Sequence, residues 1–244
     1  MLSVVVGLTL GTLGGGGSVL TLPIFVFVAG ISANEAVPMS MVVVGGTSLI
    51  GAVLHYGRGN FNAKAALLFG TGGVVGSYFG SYLTHLFSER ALLAIFAALM
   101  LLVGAAMLRE KPESDRAERC YVWRCLAIGS LVGGLTGFLG IGGGFVIVPA
   151  LVLFAGIEPE QAVGTSLAVI ALDAASGLAG HMQQVSIDGW LTSGFLGLAI
   201  LGMFGGIAVS HKVTGKKLQN AFGWFIIIIG LVIGGLTAAG GSLP

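Results

Sequence analysis

Charge is scarce in this chain: Asp, Glu, Lys and Arg together make up 9% of its 244 residues, eleven basic against ten acidic. An ordinary water-soluble domain carries about a quarter charged residues, so most of this chain is not built to face water. The formal net charge of +1 offers no basic excess for a nucleic-acid partner, and none is expected. Cysteine is nearly absent, with Cys120 and Cys125 only. Two cysteines without a metal-like cluster exclude zinc and redox chemistry as the organising principle. No structural disulfide is expected either, because the linker that carries them reads as cytoplasmic on the charge argument below, where thiols stay reduced. G-x-x-x-x-G-K-[ST] does not occur, nor does His-Glu-x-x-His, a pair of carboxylates, or a nucleophile beside a base. The chain therefore reads as no enzyme, without cofactor or metal, and with no nucleotide site of its own.

What is present is apolar. Hydrophobic residues make up 55% of the chain, and 43 residues are glycine. Apolar stretches run over roughly 2–30, 36–57, 64–86, 91–108, 122–156, 162–182, 187–210 and 218–240. Most exceed the ~20 residues that a membrane helix needs, so the fold class is an all-α polytopic membrane protein with the lipid bilayer as solvent. The first stretch is far longer than a signal-peptide core, has no charged n-region and is expected to be retained.

The stretches fall into two sets of four. His55 recurs as His181 and His85 as His211, each 126 residues on. The same offset carries Gly7 onto Gly133, Gly14 onto Gly140, Gly16 and Gly17 onto Gly142 and Gly143, Pro23 onto Pro149, and Ser40 onto Ser166. The chain thus divides into an N-terminal transmembrane repeat over 1–108, a charged linker over 109–121, and a C-terminal transmembrane repeat over 122–244. Tandem repeats in apolar chains are how many transporters build two gates around one central site.

Charge placement sets the orientation of the repeats. If all eight stretches cross, Lys and Arg divide seven to four between the two faces. If the first stretch of each repeat breaks at its glycines and returns to the side it entered from, each repeat keeps three full crossings. The second repeat is then inverted. Arg58, Lys64, Arg109, Lys111, Arg116, Arg119, Arg124, Lys212, Lys216 and Lys217 share one face and only Arg90 remains on the other, ten against one. That is the bias of a cytoplasmic face, so the inverted, re-entrant arrangement is expected, with both termini outside.

The breaks are also the candidate substrate site. Gly14, Gly15, Gly16 and Gly17 before Ser18, and Gly140, Gly142, Gly143 and Gly144 in the second repeat, weaken a helix interior. A broken helix at membrane depth is tolerated where protein or a water-filled cavity surrounds it. Each second half-helix then points free N–H groups and the positive end of its dipole toward mid-membrane, which suits an anion. Glycines that merely let helices pack closely are the plain alternative. Ser40, Thr165 and Ser166 lie in matching places near the breaks and are candidate donors to an oxyanion, against the ordinary use of such hydroxyls to bond their own helix. Gly72, Gly76 and Gly80, with Gly202 and Gly206, read as packing faces. Asp173 is the one acid well inside an apolar stretch, and its repeat partner is Thr47. Asp173, His55 and His181 are the proton-coupling candidates; a structural hydrogen bond is the alternative for Asp173, and the histidines, which inversion places at opposite mouths, have helix-end anchoring as theirs. The exposed glycine rows permit a homodimer.

The glycine cluster before a proline resembles a motif of the sulfite exporter TauE/SafE family. So do the short Gly-Ile loop followed by Glu35-Ala36-Val37 or Gln161-Ala162-Val163, the Thr165-Ser166 pair and the histidine that closes that stretch. The resemblance covers nearly the whole chain, once per repeat. It implies a bacterial plasma-membrane permease for sulfite, organosulfonates or related small anions, with Gly14–Ser18 and Gly140–Gly144 as the matching motifs. The chain departs from its own pattern where Pro38-Met39-Ser40 stands for Gly164-Thr165-Ser166, and at Asp173. The expected function is secondary transport of a small sulfur-containing anion by alternating access. The alternative is an anion channel whose half-helices line a continuous pore.

Overall fold

The computed structural model describes residues 1–31, 33–84, 89–109, 122–139, 144–181, 188–210 and 215–238. Among the described residues every regular element is a helix. In chain order these are α1 (Leu2–Leu13), α2 (Gly16–Pro23) running into a π-helical turn (Ile24–Val28), α3 (Ala33–Tyr56), α4 (Ala63–Thr84), α5 (Glu89–Arg109), α6 (Val122–Leu139), α7 (Gly144–Leu153), α8 (Pro159–His181), α9 (Gly189–Ser210) and α10 (Gly215–Ala238). Pro38–Tyr56, Gly189–Ser210 and Lys216–Gly235 are long and apolar enough to cross a bilayer, and Leu2–Leu13, Ala97–Arg109 and Val122–Leu135 are shorter apolar helices. Leu67, Tyr78 and Phe79 on α4, Leu201 and Phe204 on α9, and Ile228, Leu231 and Val232 on α10 all stand exposed. Such an outward apolar surface is the mark of a lipid-facing belt.

The first apolar stretch is not one helix. Gly14 takes φ +74°, a left-handed conformation that costs a side chain dearly and glycine nothing, and the chain turns there. The direction of the turn follows from contacts on both sides of it. Gly17 packs against Leu10 and the carbonyl of Val6, a turn of α1 it could not reach along a straight helix. Further on, Phe25 stacks on Phe195 of α9 at 4.7 Å between ring centroids, while Gly7 of α1 lies against Ala199, one turn along α9. By Phe25 the chain has returned to the level at which α1 began. In the second half, α6 ends at Leu139 and α7 starts at Gly144; the glycines Gly140, Gly142 and Gly143, expected to form the matching break, lie outside the described residues.

The helices of the two halves interlock. Gly76 packs against the carbonyl of Ser130, and Gly133 against that of Gly73, so α4 and α6 run parallel in close backbone contact. Gly202 packs against the carbonyl of Val4 and Gly7 against that of Ala199, which brings α1 and α9 together in the same way. Adding 126 to one residue and subtracting it from the other converts the first set of contacts into the second. At these positions a Cβ would fall on backbone atoms, so the glycine rows are packing faces and the only residue that fits is the smallest one.

Two other pairs run the opposite way. Gly45 of α3 lies 2.9 Å, measured from its Cβ position, from Cβ of Ala174 on α8; Gly51 lies 2.8 Å from Cδ1 of Leu167, and Gly164 lies against His55. The numbers climb along α3 as they fall along α8, so these helices are antiparallel. In α5 and α10 the Gln219 side chain donates to the Met107 carbonyl at 2.8 Å, Gly230 meets Met100, and Gly234 meets Ala97, again antiparallel. The bounds of the elements add a numerical coincidence. Ala33 and Pro159, Ala63 and Gly189, Thr84 and Ser210, and Glu89 and Gly215 begin or end corresponding helices and are each 126 residues apart.

One expectation is corrected. Cys125 is buried and disulfide-bonded, not a free thiol; the chain's other cysteine, Cys120, lies outside the described residues, as does the rest of the linker beyond Arg109. Disulfides persist in oxidising compartments and are rare in reducing ones, so this bond and the lysine and arginine bias point to opposite faces for the linker.

The seams predict which glycines are indispensable. Gly76→Leu and Gly202→Leu should each destabilise the detergent-solubilised protein by about 1–3 kcal/mol or more, because the added side chain must force two backbones apart. Gly205→Leu, on α9 with nothing within 4 Å of its Cβ position, should leave the thermal midpoint unchanged. Equal tolerance at all three positions, read in one thermal-denaturation series, would contradict close packing at the seams.

Candidate functional site

The break in the first half abuts the second half at two points. The Cβ position of Gly14 lies 2.8 Å from Oγ of Ser166 and 3.0 Å from Cα of Val163, both on α8. The Cβ position of Gly144, the first residue of α7, lies 2.7 Å from Oγ of Ser18 on α2 and 2.8 Å from Ile170 on α8. The starts of the two short helices and the early turns of α8 thus converge, and the meeting place is walled by glycine, serine and aliphatic carbon. Gly15 caps α2 with no side-chain hydrogen bond, so no capping side chain serves the first N–H groups of that helix. Gly16 faces the ring edge of Phe225 on α10, with Cε1 2.9 Å from its Cβ position.

The hydroxyls are where the sequence puts them, and in this conformation most bond their own helix. Ser18 donates to the Gly15 carbonyl at 2.7 Å, Ser166 to the Val163 carbonyl at 2.8 Å, and Thr47 to the Val43 carbonyl at 2.6 Å. Thr165 plays a different part: its Oγ1 accepts from the Asn62 N–H at 3.0 Å, and Asn62 in turn accepts from the Ala65 N–H to start α4. That bond ties the α3–α4 loop to α8. Ser40 is half-buried on α3. Ser48, on the same helix, has a buried Oγ with no hydrogen-bond partner.

The titratable candidates separate. Asp173 sits beside the α4–α6 seam among Phe69, Gly73, Gly129, Val132, Gly133, Ile147 and Val169, and its Oδ1 is buried without a hydrogen-bond partner. His55 was expected at a mouth of the protein; it is 2% exposed and packs from α3 against Gly164 of α8. The loop after α3 packs here too: the Asn60 carbonyl also lies against Gly164, and the Asn60 N–H donates to the His55 carbonyl at 3.1 Å. His55, Asn60, Glu160 and Ser210 line a small cavity there. His181 ends α8, but its side chain, like His85 and His211, lies outside the described residues.

Sequence reasoning missed Asn62, Glu160, Ser210 and Phe225. Asn62 and Glu160 stand next to helix starts and could have been read as caps. Ser210 and Phe225 carry no such signal, because what matters about them is which helix of the other half, or of their own, they face.

A family model described as sulfite exporter TauE/SafE matches residues 1–233. Among curated relatives, a probable membrane transporter protein of Xylella fastidiosa (strain 9a5c) is 30% identical over 236 residues, covering 93% of this chain and 90% of that protein. The probable membrane transporter protein YdhB of Bacillus subtilis is 27% identical over 233 residues, with 93% and 95% covered. The probable membrane transporter protein MJ0441 of Methanocaldococcus jannaschii is 28% identical over 253 residues, with 94% and 93% covered. No solved structure matches. With apolar helices long enough to span a bilayer, a broken first helix and a family match over almost its full length, this chain belongs to the sulfite exporter TauE/SafE family of membrane transporters.

Proposed function

We propose that the protein is a secondary transporter of a small sulfur-containing anion, such as sulfite, a sulfonate or a related oxyanion, moved across a bacterial plasma membrane by alternating access of two inverted repeats. The observation that carries this reading is the convergence of the two short helices, with Ser18 of α2 against Gly144 at the start of α7. Each start presents backbone N–H groups and a positive dipole end without a fixed cation. An oxyanion held by neutral donors in a dry site is gripped in place yet can leave, which a transporter requires. Gly14 to Ser18, Gly144, Thr165 and Ser166 would form the described part of this site. Gly140, Gly142 and Gly143 join it by the 126-residue offset, and Ser40 by its offset from Ser166. For Ser18 and Ser166 to serve the anion, each hydroxyl must rotate away from the carbonyl it now serves.

Support for inversion comes from strand-like bookkeeping of direction among helices. Corresponding members α3 and α8 pack antiparallel, as do α5 and α10, which a two-fold axis in the membrane plane requires and an axis along the membrane normal forbids. The inversion does not depend on which face is cytoplasmic. A channel with the same site would pass its anion without saturation, and saturable counterflow in vesicles separates the two readings.

Thermal denaturation of the purified protein with sulfite, sulfate, thiosulfate, sulfoacetate, taurine and simple carboxylates tests the substrate class. A bound anion at 100 times its Kd should stabilise by about 2.7 kcal/mol. We expect sulfur oxyanions to raise the midpoint and carboxylates to leave it in place; the opposite ranking would contradict the proposal.

Gly16→Leu tests the site itself. The atoms nearest its Cβ position are side-chain ends of Phe225 and Leu13, which can shift, so the protein should fold. It should lose tenfold or more in apparent anion affinity, about 1.4 kcal/mol, because the bulk keeps the anion from the start of α2. Full transport by a well-folded Gly16→Leu protein would place the site elsewhere.

A further inference from the structure

Asp173 stands among apolar residues of four helices. From α4 it faces Phe69 and Gly73, from α6 Gly129, Val132 and Gly133, from α7 Ile147, and from its own helix Val169. None of these residues is titratable or charged, and on the α3 side the neighbouring Ala174 meets Gly45. Its Oδ1 has no hydrogen-bond partner. The corresponding position of the first half holds Thr47, which is fully buried and donates to the carbonyls of Val43 and Val44 at 2.6 and 3.1 Å. At this position the two halves therefore differ in chemistry: a hydroxyl satisfied by its own helix in one, a carboxyl whose Oδ1 is left without a partner in the other.

The place of the carboxyl gives the difference mechanical meaning. Gly73, whose Cβ position lies 3.5 Å from Oδ1 and 3.7 Å from Oδ2, is also the residue whose backbone packs against Gly133 in the α4–α6 seam. That seam joins an element of the first half to an element of the second. An unpaired carboxylate charge in an apolar seam has no internal partner and draws water in, whereas the neutral acid does not. Closing the seam therefore favours the neutral acid, and opening it favours the charge. A metal cation is a poor occupant, because the wall supplies no second side-chain oxygen and such ions take several oxygen ligands. A proton needs only the one carboxyl.

Resting on the transporter reading above, we propose that Asp173 is the proton-carrying group of the transport cycle, taking one proton from water on one side when the α4–α6 seam closes and releasing it to the other when the seam opens. The inverted halves would then be coupled through a single site in the second half, with one proton moved per anion. An anion and a charged Asp173 repel each other across a dry interior, so proton and anion travel in the same direction.

The test uses the full chain reconstituted in vesicles that contain a pH-sensitive dye, with labelled methanesulfonate, an anion whose own charge does not titrate in the working range. In wild type, a methanesulfonate gradient should drive protons in the same direction, and labelled anion should exchange with unlabelled. In Asp173→Asn the proton movement should vanish while exchange stays within about twofold of wild type, since exchange needs binding and gating but no net proton transfer. Asp173→Thr, which installs the residue found at the same place in the first half, should behave alike and serves if the amide folds poorly. Proton movement that persists with the anion in either folded variant overturns the proposal, as does loss of exchange in both. Wild-type exchange without proton movement overturns it too, and leaves the transporter reading standing; absence of both in wild type would sink the transporter reading for this anion class.

Discussion

The close approach of helix backbones at the glycine seams is the constraint on which the rest of the molecule depends. At Gly7, Gly76, Gly133 and Gly202 a Cβ would fall on a carbonyl of the neighbouring helix, so α4 lies on α6 and α1 on α9 without side chains between them. In a bilayer, where lipid tails are as apolar as leucine, such van der Waals contact replaces the hydrophobic drive that packs a soluble core. Because each seam joins one half to the other, the halves cannot be separated into independent bundles. They share walls, and any motion between them is a motion along those walls.

The broken first helix gains its tolerance from the same walls. A turn in the backbone at Gly14 would be ruinous against lipid, where unpaired N–H and C=O groups find no partner. Here it is enclosed by α8 at Val163 and Ser166, by α10 at Phe225, and by α7 at Gly144. Enclosure also supplies the chemistry. The start of α2 has no capping side chain, so under the proposed function its dipole and first N–H groups serve the anion.

Much of the architecture was legible in the sequence. The apolar stretches at 64–86, 91–108 and 187–210 match α4, α5 and α9 to within a few residues, and the glycine cluster at Gly14 and Gly15 marked the turn. Glycine at four-residue spacing announced the packing faces. What the spacing could not announce was the partner: nothing local to Gly76 says that it meets Ser130, since a helical period defines a face and not its neighbour. His55 was misplaced for a similar reason. A histidine at the end of an apolar stretch looks interfacial, but it is buried where it packs against Gly164 of α8, a contact between distant parts of the chain. The hydroxyls of Ser18 and Ser166 were found in the expected neighbourhood, but their bonds to Gly15 and Val163 belong to this conformation and could not be read from composition.

The proposed inverted relation of the halves is tested most directly by cross-linking α5 to α10. The Cβ positions of Ala97 and Gly234 are 3.5 Å apart, within the range of a disulfide. Gly223 is eleven residues from Gly234 along α10, about 16 Å of helix away. With Cys120 and Cys125 replaced by serine, Ala97→Cys paired with Gly234→Cys should cross-link readily in membranes under mild oxidation, and Ala97→Cys paired with Gly223→Cys should not. Repeats pointing the same way would set Ala97 opposite its own counterpart, Gly223, so cross-linking of that pair in place of the first would contradict the account.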